Sequence, residues 1–190
     1  MNTLRRIIRN DSEISESEYF SLFSAAIFER NQKHVLPVLL AALSAKPLNL
    51  NDITAFVRFI EKETPKRHLS VSNEAVNIVG TGGGLPTFNI STTATFVAAA
   101  AGAKIIKSGS YSYNSQCGSL DLLQHLGFNL NQDEQSLQHM LEELNIGFVS
   151  PGMYSSVLRR IAVSAIPFTL REIGGFINSL GPLLCPFHVK

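Results

Sequence analysis

The sequence predicts an α/β protein, in which a small N-terminal all-helical domain precedes a domain built on a parallel sheet. Two observations support this fold class. Apolar residues recur at helical spacing through the first 65 positions, whereas short β-branched runs alternate with helical segments from Val76 onward. This alternation is typical of parallel sheets that carry helices on their faces. We therefore predict a helical domain at residues 1–68 and an α/β domain at residues 69–190.

Three helices are predicted after residue 14 in the first domain. Ser15 and Glu18 have the spacing of a capping box, in which each side chain accepts a hydrogen bond from the other residue's backbone N–H. A second helix carries the apolar run 35–43. The third is expected to begin at a cap formed by Asn51 or Asp52. Its predicted buried stripe consists of Ile53, Phe56, Val57 and Ile60.

The second domain is predicted to alternate between strands and helices. Strands are expected at 76–79, 104–107 and 146–149, and helices at 92–102, 121–126 and from 131 to 144. Polar loops follow the first two strands. Because the carboxyl ends of parallel strands meet at one edge of a sheet, and ligands bind beyond that edge, both loops should face the same space.

Composition excludes several classes of protein. The chain has 190 residues and 45% apolar content, enough for a buried core, and its formal net charge of +1 gives no basic surface for nucleic acid. Residues 1–10 are basic but lack the apolar core of a signal peptide, and no apolar run could span a bilayer. We expect a soluble, cytoplasmic protein without a nucleic-acid or membrane partner. Cys117 and Cys185 are expected to be reduced thiols.

A glycine cluster between the first strand and its helix is the main candidate site. Consecutive glycines let backbone N–H groups approach a ligand, and the N-terminus of the following helix attracts an anion such as phosphate. Ser91 is also a plausible magnesium ligand beside a phosphate. The alternative is a plain glycine-rich turn with Asn89 or Ser91 as the helix cap. The candidates from the residues themselves are Gly80, Thr81, Gly82, Gly83, Gly84, Thr87, Asn89, Ser91 and Thr92.

Three segments carry a resemblance to a known family. They are Gly80-Thr81-Gly82-Gly83, Thr87-Phe88-Asn89-Ile90-Ser91-Thr92 and the alanine-rich run 98–104. Together they closely resemble the signature of the anthranilate phosphoribosyltransferase family, which reads GTGGD and then TFNIST before an alanine-rich helix and a second loop, KHGNRSVSS. The segment from Lys107 to Ser115 occupies the place of that second loop.

The resemblance implies a function. Members transfer the phosphoribosyl group of phosphoribosyl pyrophosphate (PRPP) to the amine of anthranilate, with release of pyrophosphate and help from Mg²⁺, in tryptophan biosynthesis. It also implies a homodimer formed through the N-terminal helices. The substrate-binding residues that it adds are Ile90, Lys107, Gly109, Ser110, Ser112, Ser115, Ser119 and Arg171. Arg171 would suit the anthranilate carboxylate, although an ordinary solvated arginine explains it equally well.

The chain departs from the family pattern in both loops. Gly84 stands where the family has the aspartate of GTGGD, and Ser108, Ser110 and Tyr111 replace a histidine, an asparagine and an arginine. Loss of a carboxylate weakens metal organisation more than backbone contacts. The resemblance covers about the first half of the family sequence, so the predicted α/β domain is truncated. Apolar residues near the end are therefore expected to need a partner surface: Leu180, Leu183, Leu184, Phe187 and Val189.

Two other functions stay open at this point. One is a noncatalytic subunit or remnant that retains phosphate binding or dimerisation. The other is a transferase for a different aromatic acceptor, because Ser110 replaces the asparagine that touches anthranilate and because Tyr111 and Tyr113 could stack on a planar ring.

Overall fold

The computed structural model describes residues 2–10, 13–32, 34–47, 49–80, 88–109, 118–130, 132–164 and 174–190. Helices in these ranges are α1 (Asn2–Arg9), α2 (Glu16–Phe28), α3 (Val35–Ala45), α4 (Leu50–Glu63), α5 (Ile90–Ala100), α6 (Ser119–His125), α7 (Glu134–Leu144), α8 (Ser156–Ser164) and α9 (Gly175–Leu180). The strands are β1 (Val76–Ile78), β2 (Ile105–Lys107) and β3 (Ile146–Phe148). No described helix combines the length and apolar character that crossing a bilayer requires.

The chain divides into two compact units, each built from two segments. The first contains Met1–Pro65 and Ser156–Leu184, and the second contains Lys66–Ser155 and Cys185–Lys190. The predicted domain boundary at residue 68 lies close to Pro65 and Lys66, where the chain first passes from one unit to the other. The prediction, however, placed the segment 156–184 in the second domain. Val157, Ile161 and Phe176 of that segment are instead buried in the same core as α2, α3 and α4.

The helical unit is held by aromatic packing and capped helix ends. The capping box of α2 is confirmed: the N–H of Glu18 donates to the Ser15 Oγ at 3.3 Å, and the N–H of Ser15 donates to the Glu18 Oε2 at 3.0 Å. The predicted cap of α4 is wrong, because Asn49 accepts the hydrogen bond from the Asp52 N–H at 2.8 Å. Asp52 is instead buried and forms an ion pair of 2.8 Å with Lys46.

The buried face of α4 also differs from the predicted stripe. Phe56 and Ile60 are buried as expected, but Ile53 and Val57 are only partly buried. The stripe is completed by Ala55 and Phe59, and the Phe59 ring packs against Phe23 with a centroid distance of 5.4 Å.

The second unit contains a parallel sheet in the order β1-β2-β3, so the expected fold class is confirmed. Register pairs Val76 with Ile105 and Ile105 with Ile146. Helix α7 lies tightly against β3 at Gly147, where an added Cβ would approach the Leu141 Cγ to 3.1 Å. Each strand is shorter than predicted by one residue, and α5 begins two residues earlier than predicted, at Ile90.

The apolar residues near the end of the chain do not all need an outside partner, which corrects that expectation. Leu180 and Leu184 are buried in the core of the helical unit. Phe187 is 0% exposed in the second unit, where its ring lies 4.6 Å from the Arg67 guanidinium carbon. Of the five, only Leu183, at 48% exposure, is open to solvent, while Val189 is partly buried.

Candidate functional site

The carboxyl ends of the three strands place their following residues at one edge of the sheet. Val79 and Gly80 follow β1, Ser108 and Gly109 follow β2, and Val149 and Ser150 follow β3. All three strands are parallel, so these positions share the edge at which ligands bind in open α/β sheets. Helix α5 begins at the same edge, because it returns antiparallel to β1.

The described residues at the N-terminus of α5 include no compensating negative charge. Asn89 occupies the cap position, but its side chain makes no capping hydrogen bond, and the first turn contains no acidic residue. The alternative of Asn89 as the helix cap is therefore correct for the position, although the Asn89 side chain supplies no capping hydrogen bond. The positive end of the helix dipole remains available to an anion.

A buried hydroxyl in the first turn of α5 has no hydrogen-bond partner among the described residues. Thr92 is 1% exposed, and its Oγ1 has no hydrogen bond to any residue that the structure describes. By contrast, Thr95 in the same helix donates to the Ser91 carbonyl at 2.8 Å. A buried polar atom without a partner costs free energy, typically about 1–3 kcal/mol. A ligand that supplied an acceptor or donor at Thr92 would recover that cost.

Lys107 is a buried cation at the end of the central strand. The side chain is 0% exposed, and its Nζ donates to the Ser108 carbonyl at 2.8 Å. No carboxylate in the described part of the chain forms an ion pair with it. Burial lowers the pKa of Lys107 to about 8. An anion placed beside this ammonium group would supply the missing countercharge.

Lys107 and Thr92 lie on the same side of the sheet. Ile105 packs in one cluster with Ala99 of α5, and Lys107, two residues along β2, presents its side chain to that same face. Thr92 and Ala99 both belong to the buried stripe of α5. Lys107, which has no carboxylate partner among the described residues, and the Thr92 hydroxyl therefore occupy the face covered by α5, at the edge where the strands end.

Two glycine–serine contacts join the loops to the helices that follow them. A Cβ on Gly80 would lie 3.8 Å from the Ser91 Oγ, so the start of the first loop adjoins the first turn of α5. At Gly109 a Cβ would collide with the Ser119 Oγ and would also approach the Ser119 Cβ to 3.4 Å. A side chain at position 109 would therefore force the Ser119 hydroxyl to move away.

The structure describes part of the predicted site. Ile90 is 54% exposed, and its side chain is open to solvent. The described site residues are Gly80, Asn89, Ile90, Ser91, Thr92, Lys107, Gly109 and Ser119. The residues Thr81, Gly82, Gly83, Gly84, Thr87, Ser110, Ser112, Ser115 and Arg171 lie outside the described residues, as do Tyr111 and Tyr113.

Two further polar residues, one within β1 and one soon after β3, were not among the predicted site residues. Asn77 in β1 has a buried Oδ1 without a partner among the described residues. Ser150, which follows β3, is 4% exposed and donates to the Gln132 carbonyl at 3.2 Å. The place of Ser150 directly after the predicted strand 146–149 was the available signal for that residue.

The described part of the site offers a metal only neutral oxygen atoms. No group of three or more His, Cys, Asp or Glu residues in the described ranges could hold an ion. Hydroxyl and amide oxygens, from Ser91 and Asn89, are acceptable Mg²⁺ ligands but carry no charge. Such neutral oxygens suit Mg²⁺ only when an anionic ligand such as phosphate supplies the charge.

Comparison with known proteins assigns the chain to a class. It belongs to the glycosyl transferase family, a/b domain, which matches residues 72–190 and so includes all three strands and both loops. Within this class, the chain is 36% identical over 193 residues to the anthranilate phosphoribosyltransferase of Francisella philomiragia, covering 98% of the chain and 56% of the relative. It is 33% identical over 184 residues to that of Polaromonas sp., covering 96% of the chain and 52% of the relative.

Solved structures agree with this assignment. The crystal structure of anthranilate phosphoribosyltransferase from Thermus thermophilus matches with a TM-score of 0.75 at 27% identity, over 98% of this chain and 56% of that one. The enzyme from Saccharomyces cerevisiae in complex with PRPP and Mg has the same fold, with a TM-score of 0.73 at 22% identity over 97% and 54% of the two chains. The resemblance found in the sequence is confirmed, and the chain spans about half the length of the curated relatives it matches.

Proposed function

We propose that the chain acts as an anthranilate phosphoribosyltransferase-type enzyme and binds PRPP at the edge formed by β1, β2 and α5. The observation that carries the proposal is Lys107, a cation that is 0% exposed and has no carboxylate partner among the described residues. The N-terminus of α5 and the unpaired Thr92 hydroxyl point to the same ligand class. The relatives named above are all anthranilate phosphoribosyltransferases.

In phosphoribosyl transfer, the protein must position two substrates and stabilise the pyrophosphate leaving group. The anthranilate nitrogen attacks C1 of the phosphoribosyl group as the bond from C1 to pyrophosphate oxygen breaks. Pyrophosphate takes the bonding electrons, and the nitrogen releases a proton to solvent. Lys107 and the N-terminus of α5 would hold phosphate oxygens and offset the negative charge that develops on them.

Mg²⁺ belongs to this proposal as the ion that accompanies pyrophosphate. When bound, it supplies charge neutralisation that the neutral oxygens of the described site cannot supply. Ser91 is the proposed protein ligand. The solved S. cerevisiae enzyme contains both PRPP and Mg, which supports the pairing of these two ligands.

Calorimetric titration of PRPP, with and without Mg²⁺, tests the binding site. Lys107→Met removes the charge but keeps an apolar side chain of similar length in a buried position. We expect it to weaken PRPP binding by about tenfold or more, as loss of one charge-assisted hydrogen bond requires. Lys104→Met is the matched control, because Lys104 precedes the same strand at the opposite end and contacts Asn145 at 3.4 Å. Equal PRPP binding by wild type and Lys107→Met would contradict the proposal.

A noncatalytic, anion-binding subunit is the second candidate function. It is favoured by the absence of a carboxylate from the described site residues. The two candidates differ in turnover. Formation of phosphoribosylanthranilate from PRPP, anthranilate and Mg²⁺ would support the enzyme, whereas PRPP binding without product would support the subunit. The alternative acceptor stays a prediction, and a screen of aromatic amines for pyrophosphate release would test it.

A homodimer formed through the N-terminal helices is part of the proposal. Phe28, Val38 and Leu50 are large apolar side chains of this unit with exposures of 42%, 45% and 79%. Size-exclusion chromatography with light scattering should give twice the chain mass for wild type and a reduced mass for Val38→Asp. A cytoplasmic location goes with the proposal, because both substrates are small soluble metabolites, and cell fractionation would test it.

A further inference from the structure

The side chain of Arg67 connects three segments of the second unit. Its Nη1 donates to the Glu134 Oε2 at 2.8 Å, at the start of α7, and its Nη2 donates to the Met153 carbonyl at 2.6 Å. The guanidinium carbon also lies 4.6 Å from the centre of the Phe187 ring. A planar guanidinium holds several partners in fixed directions, which a lysine ammonium cannot do. Arg67 therefore fixes how these segments lie against one another.

The backbone of Arg67 is itself held in place. Its N–H donates to the Pro186 carbonyl, and its carbonyl accepts from the His188 N–H, both at 2.9 Å. These two bonds belong to a parallel bridge at this position. The guanidinium therefore projects from an anchored backbone.

The bond from Arg67 to Met153 holds a turn at the ligand-binding edge of the sheet. This 3₁₀ turn, Pro151–Met153, begins three residues after β3 ends. The Met153 N–H donates to the Ser150 carbonyl at 3.0 Å, so Ser150 and Arg67 hold the two backbone polar groups of the same residue. Without Arg67, the turn loses its connection to the rest of the unit on the carbonyl side.

The turn leads directly to a group of polar side chains beside Lys107. The hydroxyl of Tyr154, the next residue, and the thiol of Cys185 both lie beside the Ser108 side chain. Ser108 is 3% exposed and follows Lys107 in the chain. A shift of the turn would therefore displace Tyr154 from its place next to the end of β2.

The turn and the Lys107 side chain lie on opposite faces of the sheet, at the same edge. Met153 and Tyr154 pack in one cluster with Ile106. Lys107 shares the other face with Ile105, because side chains alternate along a strand. Phosphate held by Lys107 and the N-terminus of α5 leaves the opposite face of this edge to the acceptor of the phosphoribosyl group.

We propose that Arg67 is a positioning residue for the transfer reaction proposed above, on which this role rests, and that it holds the turn Pro151–Met153 and Tyr154 in place on the acceptor side of the site. Arg67 acts through the Met153 carbonyl. Misplacement of a group by about 1 Å can lower a rate by about 100-fold, even when the altered residue is far from the reacting atoms. Loss of Arg67 should therefore impair use of the acceptor more than binding of PRPP.

Hydrogen exchange followed by NMR tests the positioning in the full chain without substrates. Arg67→Met should speed exchange of the Met153 amide by about tenfold or more, because the turn loses its outside connection. The Val149 amide, which donates to the Lys107 carbonyl, should change by less than about threefold. Unchanged exchange at Met153, or equally faster exchange at both amides, would overturn the proposal.

Three further variants separate the contacts of Arg67. Glu134→Gln removes an ion pair whose side chains are 38% and 39% exposed, so it should leave Met153 exchange within about threefold of wild type. Arg67→Lys keeps the charge without the planar fork and should give an intermediate effect. Arg58→Met is the matched control, because Arg58 also pairs with a glutamate, at 2.7 Å, but in the other unit. An effect of Glu134→Gln as large as that of Arg67→Met would assign the result to the ion pair and overturn the proposal.

Steady-state kinetics tests the consequence for catalysis. Arg67→Met should lower kcat/KM for anthranilate by about tenfold or more and leave the Kd for PRPP within about threefold of wild type. An unchanged kcat/KM for anthranilate, or an equal loss of PRPP affinity, would overturn the positioning role. Absence of product from wild type would instead count against the proposed function, and hydrogen exchange would then decide by itself whether Arg67 holds the turn.

Discussion

The hydroxyl of Tyr19 donates a hydrogen bond to the Oδ1 of Asp52 in the core of the helical unit. Tyr19 is 0% exposed and Asp52 is 2% exposed, and the other Asp52 oxygen lies 2.8 Å from the Lys46 Nζ. This buried network joins α2 to the first turn of α4 and to the residue that follows α3. Removal of one member leaves another without its partner in a region that water does not reach.

Asp52→Asn should destabilise the chain by about 3 kcal/mol, because it leaves the Lys46 ammonium without a countercharge. Tyr19→Phe should cost less, about 1–2 kcal/mol, because Asp52 keeps its ion pair. Urea unfolding of the two single variants and the double variant gives the coupling between the residues. Additive effects would show that Tyr19 and Asp52 act independently, which would contradict the network.

The stability of the network should also fall at high pH. Burial, followed by the hydrogen bond to Asp52 and its charge, raises the pKa of Tyr19 above the ordinary value of 10.0. A raised pKa means that the stabilisation is complete below pH 10 and decreases above it. Wild type should therefore lose stability above about pH 10 more steeply than Tyr19→Phe, as measured by urea unfolding across that range. Parallel curves would contradict the assignment.

Lys107 should have the opposite dependence on pH. Burial lowers its pKa from 10.5 to about 8, so the folded state holds fewer protons than the unfolded state between these values. The free energy of unfolding of wild type should therefore rise with pH from about 8 to 10.5. Lys107→Met has no buried charge and should be more stable than wild type at pH 8, and this difference in stability should shrink as the pH rises to 10.5. Affinity for PRPP should fall over the window as the ammonium loses its proton. A pH-independent difference between wild type and Lys107→Met would contradict this prediction.

The two threonines of α5 should respond in opposite directions to the same substitution. Thr92→Val removes a buried hydroxyl that has no described partner, so it should stabilise the free chain by about 1 kcal/mol and weaken PRPP binding. Thr95→Val removes the hydrogen bond to Ser91 and should destabilise by about 1 kcal/mol. Thermal unfolding measures both effects, and a shift of the same sign for the two variants would argue against the unpaired state of Thr92.

Gly109→Ala should destabilise the second unit by about 1–3 kcal/mol, because the new methyl group would collide with the Ser119 hydroxyl. Gly152→Ala is a matched control, since its Cβ would lie 3.8 Å from the Ser150 Oγ, an ordinary contact. Adding Ser119→Ala to Gly109→Ala should recover part of the lost stability. Equal destabilisation by Gly109→Ala and Gly152→Ala would show that the contact with Ser119 does not matter.

Local sequence determined the features that were predicted best. The capping box of Ser15 and Glu18 involves residues three positions apart. The strand-loop-helix pattern around Gly80 likewise involves only residues that are close in the sequence. The cap of α4 was missed because Asn49, Asn51 and Asp52 are all residue types that cap helices. The buried partner of Asp52 is Tyr19, 33 residues away, and no local pattern indicates that pairing.

Long-range contacts account for the remaining differences. Phe176 packs on Phe56 with a centroid distance of 5.1 Å, and this contact places α9 with the N-terminal helices. For the site, composition and spacing indicated an anion-binding edge, but the unpaired state of Thr92 and the burial of Lys107 follow from tertiary packing. Sequence alone could not distinguish a solvated lysine from one enclosed on every side.

The division of each unit into two segments sets an order for folding during synthesis. The helical unit needs Ser156–Leu184, and the second unit needs Cys185–Lys190, so neither unit is complete until the ribosome has translated past the first 155 residues. Domains that consist of one continuous segment can fold in turn as they emerge. Here the apolar faces of α2 to α4 must wait for α8 and α9, and the nascent chain is exposed to aggregation and to chaperones throughout that interval.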